Sequence, residues 1–226
     1  LQIGSNFDYI THTLSLQDFD FIRLETDFDY KTQCLILIPN DLGNIKNNLQ
    51  EIVEFLRDFY MRVKGNTMTL FTSFQVIKEV YIGTSRVLEQ QGIQVLAQSV
   101  SGGKQKLIET FKTHADNTIL LGTDSFWEGI DIPGDDLKYL IIHKIPFMVP
   151  SDPIFLARSK LYTNPFEQYS IPKAILKLKQ GFGRLIRTKS DTGVLILLDN
   201  RITHTSWGKS FLEAFPTEIP IKSLSG

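Results

Sequence analysis

Six short apolar runs recur along the chain, at residues 34–38, 68–72, 93–97, 118–122, 139–143 and 193–198. Each is rich in Leu, Ile and Val and nearly continuous rather than alternating, the pattern of parallel strands covered on both faces. Between them the period becomes helical. Ile45, Leu49, Ile52, Val53, Leu56, Tyr60 and Val63 fall on one helix face. Residues 74–89 offer Val76, Ile77, Val80, Tyr81 and Val87 for packing, and residues 104–113 carry Leu107, Ile108 and Phe111 at helical spacing. Pro172 suits the first turn of a helix that the pattern extends to about Thr188. Strand alternating with helix predicts an α/β fold, a parallel sheet sandwiched by helices. Two stretches stand outside this scheme. Residues 1–32 are aromatic and acidic without a period, and residues 147–170, with Pro150, Pro153 and Pro165, read as an excursion from the sheet.

Composition narrows the class. With 226 residues, 42% hydrophobic and 22% charged, and a net charge of −1, the chain suits one α/β domain with a sizeable core. No apolar stretch reaches the roughly 18 residues that cross a membrane, since the best one, 137–149, is broken by Lys138, His143 and Lys144. Nothing at the start resembles a signal peptide, so a cytoplasmic protein is expected. Cys34 is the only cysteine, which excludes a disulfide framework or a thiolate-held cluster within the chain. His12, His114, His143 and His204 lack metal-ligand spacing. Charge is uneven, however. From Gln168 to Ser190 there is no acidic residue, while Lys173, Lys177, Lys179, Arg184, Arg187 and Lys189 all fall there. A solvated helix face or a polyanion partner would each account for that.

A self-sufficient nucleotide site is missing. A P-loop needs two glycines and a lysine at fixed spacing, yet Gly208-Lys209-Ser210 has Thr203 in place of the first glycine, and Gly103-Lys104 is followed by Gln105. No strand ends in the Asp-Glu pair that would hold magnesium. In Gln180-Gly-Phe-Gly183-Arg184-Leu-Ile-Arg187, by contrast, Gln180, Arg184 and Arg187 share one face if the helix continues, forming an anion receptor. Gly183 would let a ligand or another backbone approach. The block Gly122-Thr-Asp-Ser-Phe-Trp-Glu-Gly-Ile-Asp-Ile-Pro-Gly134 follows a strand directly. Thr123, Asp124 and Ser125 there can offer hydroxyls and amides to phosphate at a short helix start, and Asp131 can accept from a ribose hydroxyl. Phe126 and Trp127 read as packing beneath the loop rather than as base-stacking groups, and Glu128 as a cap or an orienter of one arginine. In Leu70-Phe-Thr72-Ser73-Phe74, Ser73 can cap the following helix while its amide faces phosphate.

These blocks, with Lys144-Ile-Pro-Phe-Met-Val-Pro-Ser-Asp-Pro153 and Asp191-Thr-Gly-Val-Leu-Ile-Leu-Leu-Asp-Asn-Arg201, resemble the DinG branch of the XPD-like superfamily-two DNA helicases. Residues 68–74 resemble that family's motif IV, 122–134 its motif V and 180–187 its motif VI. The order resembles the family's from about Phe28 to Phe215, and Leu1 is similar in place to the end of motif III. The resemblance implies a RecA-like second motor domain over residues 31–226, preceded by an inter-domain segment, 1–30. It implies Arg184 as arginine finger, Arg187 as a second γ-phosphate contact and Gln180 as nucleotide sensor. Asp131, Glu128, Gly129 and Gly183 would lie on the nucleotide side. Thr72, Ser73, Thr123, Asp124 and Ser125 would touch single-stranded DNA. ATP is the implied substrate, with Mg²⁺ held mainly by a first motor domain on the same polypeptide, no iron–sulfur cluster in this chain, and no membrane partner. Relatives carry either a cysteine-held cluster in the first domain or a fused exonuclease. The scarcity of alanine beside plentiful Ile, Lys, Asn and Phe suggests an AT-rich genome and favours the exonuclease-fused kind. On this reading both guanidiniums face the edge of the sheet where ligands bind, and guanidiniums pointing away from it would count against the finger.

Overall fold

The computed structural model describes residues 7–20, 22, 27–40, 42, 48–113, 117–126 and 137–224. Among them seven strands form one parallel sheet: β1 (Cys34–Pro39), β2 (Thr67–Phe71), β3 (Gln94–Ala97), β4 (Thr118–Thr123), β5 (Tyr139–Ile142), β6 (Gly193–Leu197) and β7 (Ile221–Leu224). Their order is β3-β4-β2-β5-β6-β1-β7. Every pairing is parallel, so all carboxyl ends share one edge and all amino ends the other.

Both faces of the sheet are buried, as the unbroken apolar runs require. Alternate residues of one strand enter opposite cores: Leu195 and Leu197 of β6 join one cluster, Ile196 and Leu198 the other. One face is covered by α3 (Leu49–Arg62) and α4 (Phe74–Glu89), through Ile52, Val53, Leu56, Ile77, Val80 and Leu88. Those two helices approach so closely that a Cβ on Gly83 would meet Val53 Cγ1 at 2.4 Å. The other face carries α5 (Lys104–Thr113) and α7 (Ile171–Phe182), whose Ile171, Ala174, Ile175, Leu178 and Phe182 make a helical stripe. The short helices α8 (Arg201–His204) and α9 (Gly208–Leu212) add Ile202 and Phe211 to that core.

Among the described residues, which leave out Ile45, the strand and helix pattern is recovered with shifts of a residue or two, and three features differ. β7 was not predicted, being four residues on the sheet edge, beside β1 alone. The two irregular stretches contain order: α1 (Asp8–Leu14) and α2 (Tyr30–Gln33) in the first, α6 (Pro153–Ser159) and a π-helical turn (Phe166–Ser170) in the second. The helix expected to reach Thr188 stops at Phe182. Arg184 N donates to Gly181 O and Leu185 N to Phe182 O, both at 2.9 Å, tightening the last turn to i→i+3 bonds. Leu185 then buries completely against Gly193, where an added Cβ would lie 2.4 Å from Leu185 Cδ1.

Candidate functional site

The carboxyl edge gathers the residues expected to meet DNA. Phe71 pairs with Thr123 in register, so the segments after β2 and β4 emerge side by side. Thr72 is exposed and Ser73 half-buried. Ser73 occupies the N-cap position of α4, but its hydroxyl makes no capping bond, contrary to expectation. The first amides of a 16-residue helix therefore open toward this edge without a side-chain cap, and a helix start of that kind attracts anions. Beside it, Asp124–Phe126 form the short helical turn anticipated after β4.

Thr123 is buried and already engaged. Its amide and hydroxyl donate to Gln98 Oε1 at 2.7 and 2.9 Å, while Gln98 Nε2 donates to Ser125 Oγ at 3.0 Å. Ser125 remains exposed. Lys104 Nζ donates to Ser125 O at 2.5 Å and lies 5.6 Å from the Phe126 ring centre. Gln98 and Lys104 were not assigned to a site from sequence. Gly103-Lys104 stands out in the sequence only as an incomplete P-loop, and Gln98 has no local signature. Gly102, at φ +139°, supplies the turn that returns the chain from β3 to α5. Phe126 is fully buried beneath Gly122, as a packing residue should be. Trp127, Glu128, Gly129 and Asp131 lie outside the described residues.

The arginine segment stands at the opposite edge. Gln33, immediately before β1, donates through Nε2 to Thr188 O at 3.0 Å and to Asp191 O at 2.9 Å. Phe182 packs on Tyr30 and Phe215, with ring centres 5.9 and 5.3 Å away. Asp191, 2% exposed, organises the turn: its Oδ2 accepts from Arg187 N at 2.7 Å and Thr188 N at 2.8 Å, and its Oδ1 from the Thr188 hydroxyl at 2.6 Å. Burial alone would raise this carboxyl's pKa, but those hydrogen bonds, with help from Lys138, outweigh it and hold the group below its ordinary value.

Two expectations change accordingly. Gln180, Arg184 and Arg187 do not share a helix face: Gln180 is exposed on α7, Arg184 sits half-buried in the turn after it, and Arg187 lies in the irregular segment beyond. Nor does this segment stand at the carboxyl edge; one strand length, roughly 15–20 Å, separates it from Ser73 and Ser125. The carboxyl-edge rule governs a ligand that the sheet itself holds. A guanidinium offered to a nucleotide on another domain is not bound by it. Gly183 is exposed and a Cβ there would meet nothing nearer than Lys179 O at 3.4 Å, so the close approach expected at this glycine falls instead at Gly193. Gly208 likewise answers packing, since its added Cβ would press on the backbone of Ile202.

Two further features sit beyond the carboxyl ends of β5 and β6. Asp199, fully buried, accepts from Ile145 N at 2.9 Å and from Arg201 Nε at 2.7 Å, and Arg201 lies 5.7 Å from the Trp207 ring centre. This pins the start of the 147–170 excursion to the end of β6. Within that excursion Phe155, Tyr169 and Tyr162 stack at 5.7 and 5.4 Å, and His12 of α1 lies 4.9 Å beyond Tyr162. Among the described residues no group of His, Cys, Asp and Glu could hold a metal ion, and no helix is long and apolar enough to cross a membrane.

Residues 56–218 match the helicase C-terminal domain family. The 3′-5′ exonuclease DinG of Bacillus subtilis (strain 168) is 35% identical over 96% of this chain, and the ATP-dependent DNA helicase YoaA of Haemophilus influenzae 33% identical over 100% of this chain. The chain spans only 24% and 35% of those two proteins. Among solved structures, an XPD helicase superposes with a TM-score of 0.60 at 20% identity, covering 84% of this chain and 35% of the other. The C-terminal domain of the DEAD-box protein Dbp5 gives 0.51 at 14% identity, covering 86% and 90%. At those identities the structures establish the RecA-like fold alone. The family match and the sequence relatives together establish membership: the chain is a helicase C-terminal domain of the DinG family.

Proposed function

We propose that this domain is the second motor half of an ATP-driven DNA helicase, working at two edges of one sheet. The observation that carries the reading is the division itself, with an anchored arginine segment at the amino edge and an open helix start at the carboxyl edge. At the amino edge Arg184 acts as the arginine finger for ATP held by a first motor domain, with Arg187 as a second γ-phosphate contact and Gln180 as sensor. The Asp191 and Gln33 hydrogen bonds support this, because a finger is useful only if its backbone is held before the nucleotide arrives. Asp131, Glu128 and Gly129, which lie outside the described residues, are assigned to the nucleotide by the family resemblance, and Mg²⁺ to the first domain. Transfer of the γ-phosphoryl group to water spreads negative charge over its oxygens, and a guanidinium placed there is worth about 10³–10⁵ in rate.

At the carboxyl edge, the open start of α4 with Thr72 and Ser73, and the turn of Asp124 and Ser125, positioned by Thr123 through Gln98 and with Lys104 behind it, grip phosphates of single-stranded DNA. Such contacts recognise backbone rather than sequence. Opening and closing of the two motor halves then becomes movement along one strand, 5′ to 3′ by family resemblance.

The test is Arg184→Ala in the complete polypeptide. Nucleotide binding should survive while DNA-stimulated hydrolysis falls by about 10³-fold or more; near-normal turnover refutes the finger. A second reading is favoured by one observation, the 35% identity to a protein named 3′-5′ exonuclease DinG. In it the motor fold is an ATP-responsive DNA-binding module serving a fused exonuclease, without unwinding. Strand-displacement and nuclease assays run side by side separate the two readings, since digestion without displacement selects the second.

A further inference from the structure

The 147–170 excursion and α1 enclose an open cavity of about 590 Å³. One side is formed by α1 and residues 15–17, the other by Arg158 of α6 with Leu161, Tyr162 and Tyr169. The ring ladder of the excursion runs into it. Phe155, Tyr169, Tyr162 and His12 follow one another with centres 5.7, 5.4 and 4.9 Å apart. Tyr169 is 1% exposed, Tyr162 half-buried and His12 exposed, so the ladder opens to solvent at its His12 end. Leu16 and Leu161 border the same cavity and are themselves 45% and 71% exposed.

The polar groups narrow what could fill this space. No Asp or Glu lines the cavity, and Arg158 is its one permanent cation. That guanidinium is in no ion pair among the described residues. The Thr11 and Thr13 hydroxyls donate to Asp8 O at 3.0 Å and Tyr9 O at 2.7 Å, which leaves their oxygens as acceptors. Gln17 adds an amide that offers both roles. One guanidinium is too little charge to track a chain of phosphates. A ring with an open face, aliphatic side chains, and donors and acceptors at the rim suit a flat heteroaromatic group.

Topology sets the excursion beside the edge proposed to hold DNA. β5 neighbours β2 in the sheet, about 4.8 Å away. His143 N donates to Leu70 O at 3.0 Å, which carries that pairing one residue past β5. The chain leaving β5 for the excursion therefore starts next to the chain leaving β2 for α4. We propose that the cavity receives an unstacked base of the single strand whose phosphates lie along the carboxyl edge. The base extends the ladder on the outer face of His12 and covers Leu16 and Leu161, while its edge meets Arg158, Gln17 and the threonines. Stacking of this kind accepts every base and so adds grip without sequence preference. The inference rests on the reading of the carboxyl edge as the DNA edge, and adds a base contact where that reading has phosphate contacts alone.

The experiment is fluorescence anisotropy on the complete polypeptide, without Mg²⁺ or nucleotide so that the strand is neither moved nor cut. Two labelled strands of equal length are compared, one of thymidines and one of abasic sites throughout. His12→Ala and Arg158→Ala replace exposed side chains and leave the core intact. Each should weaken binding of the base-bearing strand by about fivefold or more and leave the abasic strand bound as by the parent. Ser73→Asp, at the phosphate edge, should weaken both strands alike. Loss confined to the base-bearing strand in the cavity variants supports the cavity even where Ser73→Asp has no effect, a result that counts against the phosphate edge alone. Cavity variants that bind the base-bearing strand like the parent, or that lose both strands equally, would overturn the proposal.

Discussion

His143 follows β5 with both ring nitrogens buried and without a hydrogen-bond partner among the described residues, 5.3 Å from the Phe71 ring. Burial, reinforced by Lys144 and only partly opposed by Asp199, lowers its pKa from 6.5 to about 4. Between those two values the unfolded chain binds a proton that the folded chain refuses. The contribution to stability is thus complete above about pH 6.5 and is lost as pH falls toward 4. At about 1.4 kcal/mol per pKa unit the full effect is roughly 3 kcal/mol. Urea unfolding at pH 7.5 and 5.0 should show parent stability dropping more than that of His143→Leu, by roughly 1–2 kcal/mol. Parallel pH profiles would show that the imidazole is not buried neutral. In the sequence this histidine was only one of four scattered ones, because neither its burial nor its neighbours on β2 and β6 can be read locally. The same holds for Asp191, four positions beyond the arginine motif, whose role emerges only when the turn closes on it.

The helix starts and ends carry the next level of the argument. α4 was legible to the residue, since Ser73 precedes a clear 3.6-residue pattern, yet its cap was not: the hydroxyl stays off the helix amides. Ser73→Asp separates the two roles of that position. A carboxylate there caps the helix and should raise stability by about 0.5–1 kcal/mol. It also puts negative charge where a DNA phosphate is proposed to sit, and should weaken single-strand binding several-fold. Unfolding curves and fluorescence anisotropy on the same variant read both effects, and unchanged DNA affinity would remove α4 from the proposed path. α7 shows the converse. Its start and apolar stripe followed from periodicity, but the pattern Leu185-Ile186 continued the stripe in sequence while folding placed it on Gly193 at the mouth of β6.

The parallel sheet separates the two proposed tasks by one strand length, and the chain is 24–35% of the length of its relatives. A domain that offers cations but has no P-loop should, by itself, hydrolyse essentially no ATP and bind single-stranded DNA weakly, with affinity falling steeply as salt rises. Steady-state turnover and salt-dependent anisotropy on the 226-residue chain check this, and brisk hydrolysis by the chain alone would end the two-lobe account. The α/β class, six of the strands, the principal helices and the motif blocks were determined by sequence alone, because period and spacing are local properties of a chain that buries both sheet faces. Tertiary structure decided which blocks meet. It set Thr123 against Gln98, closed the Arg187 turn on Asp191 and Gln33, and sent the arginines to the amino edge. Each of these depends on hydrogen bonds and burial between segments far apart in sequence, where no local pattern records the partner.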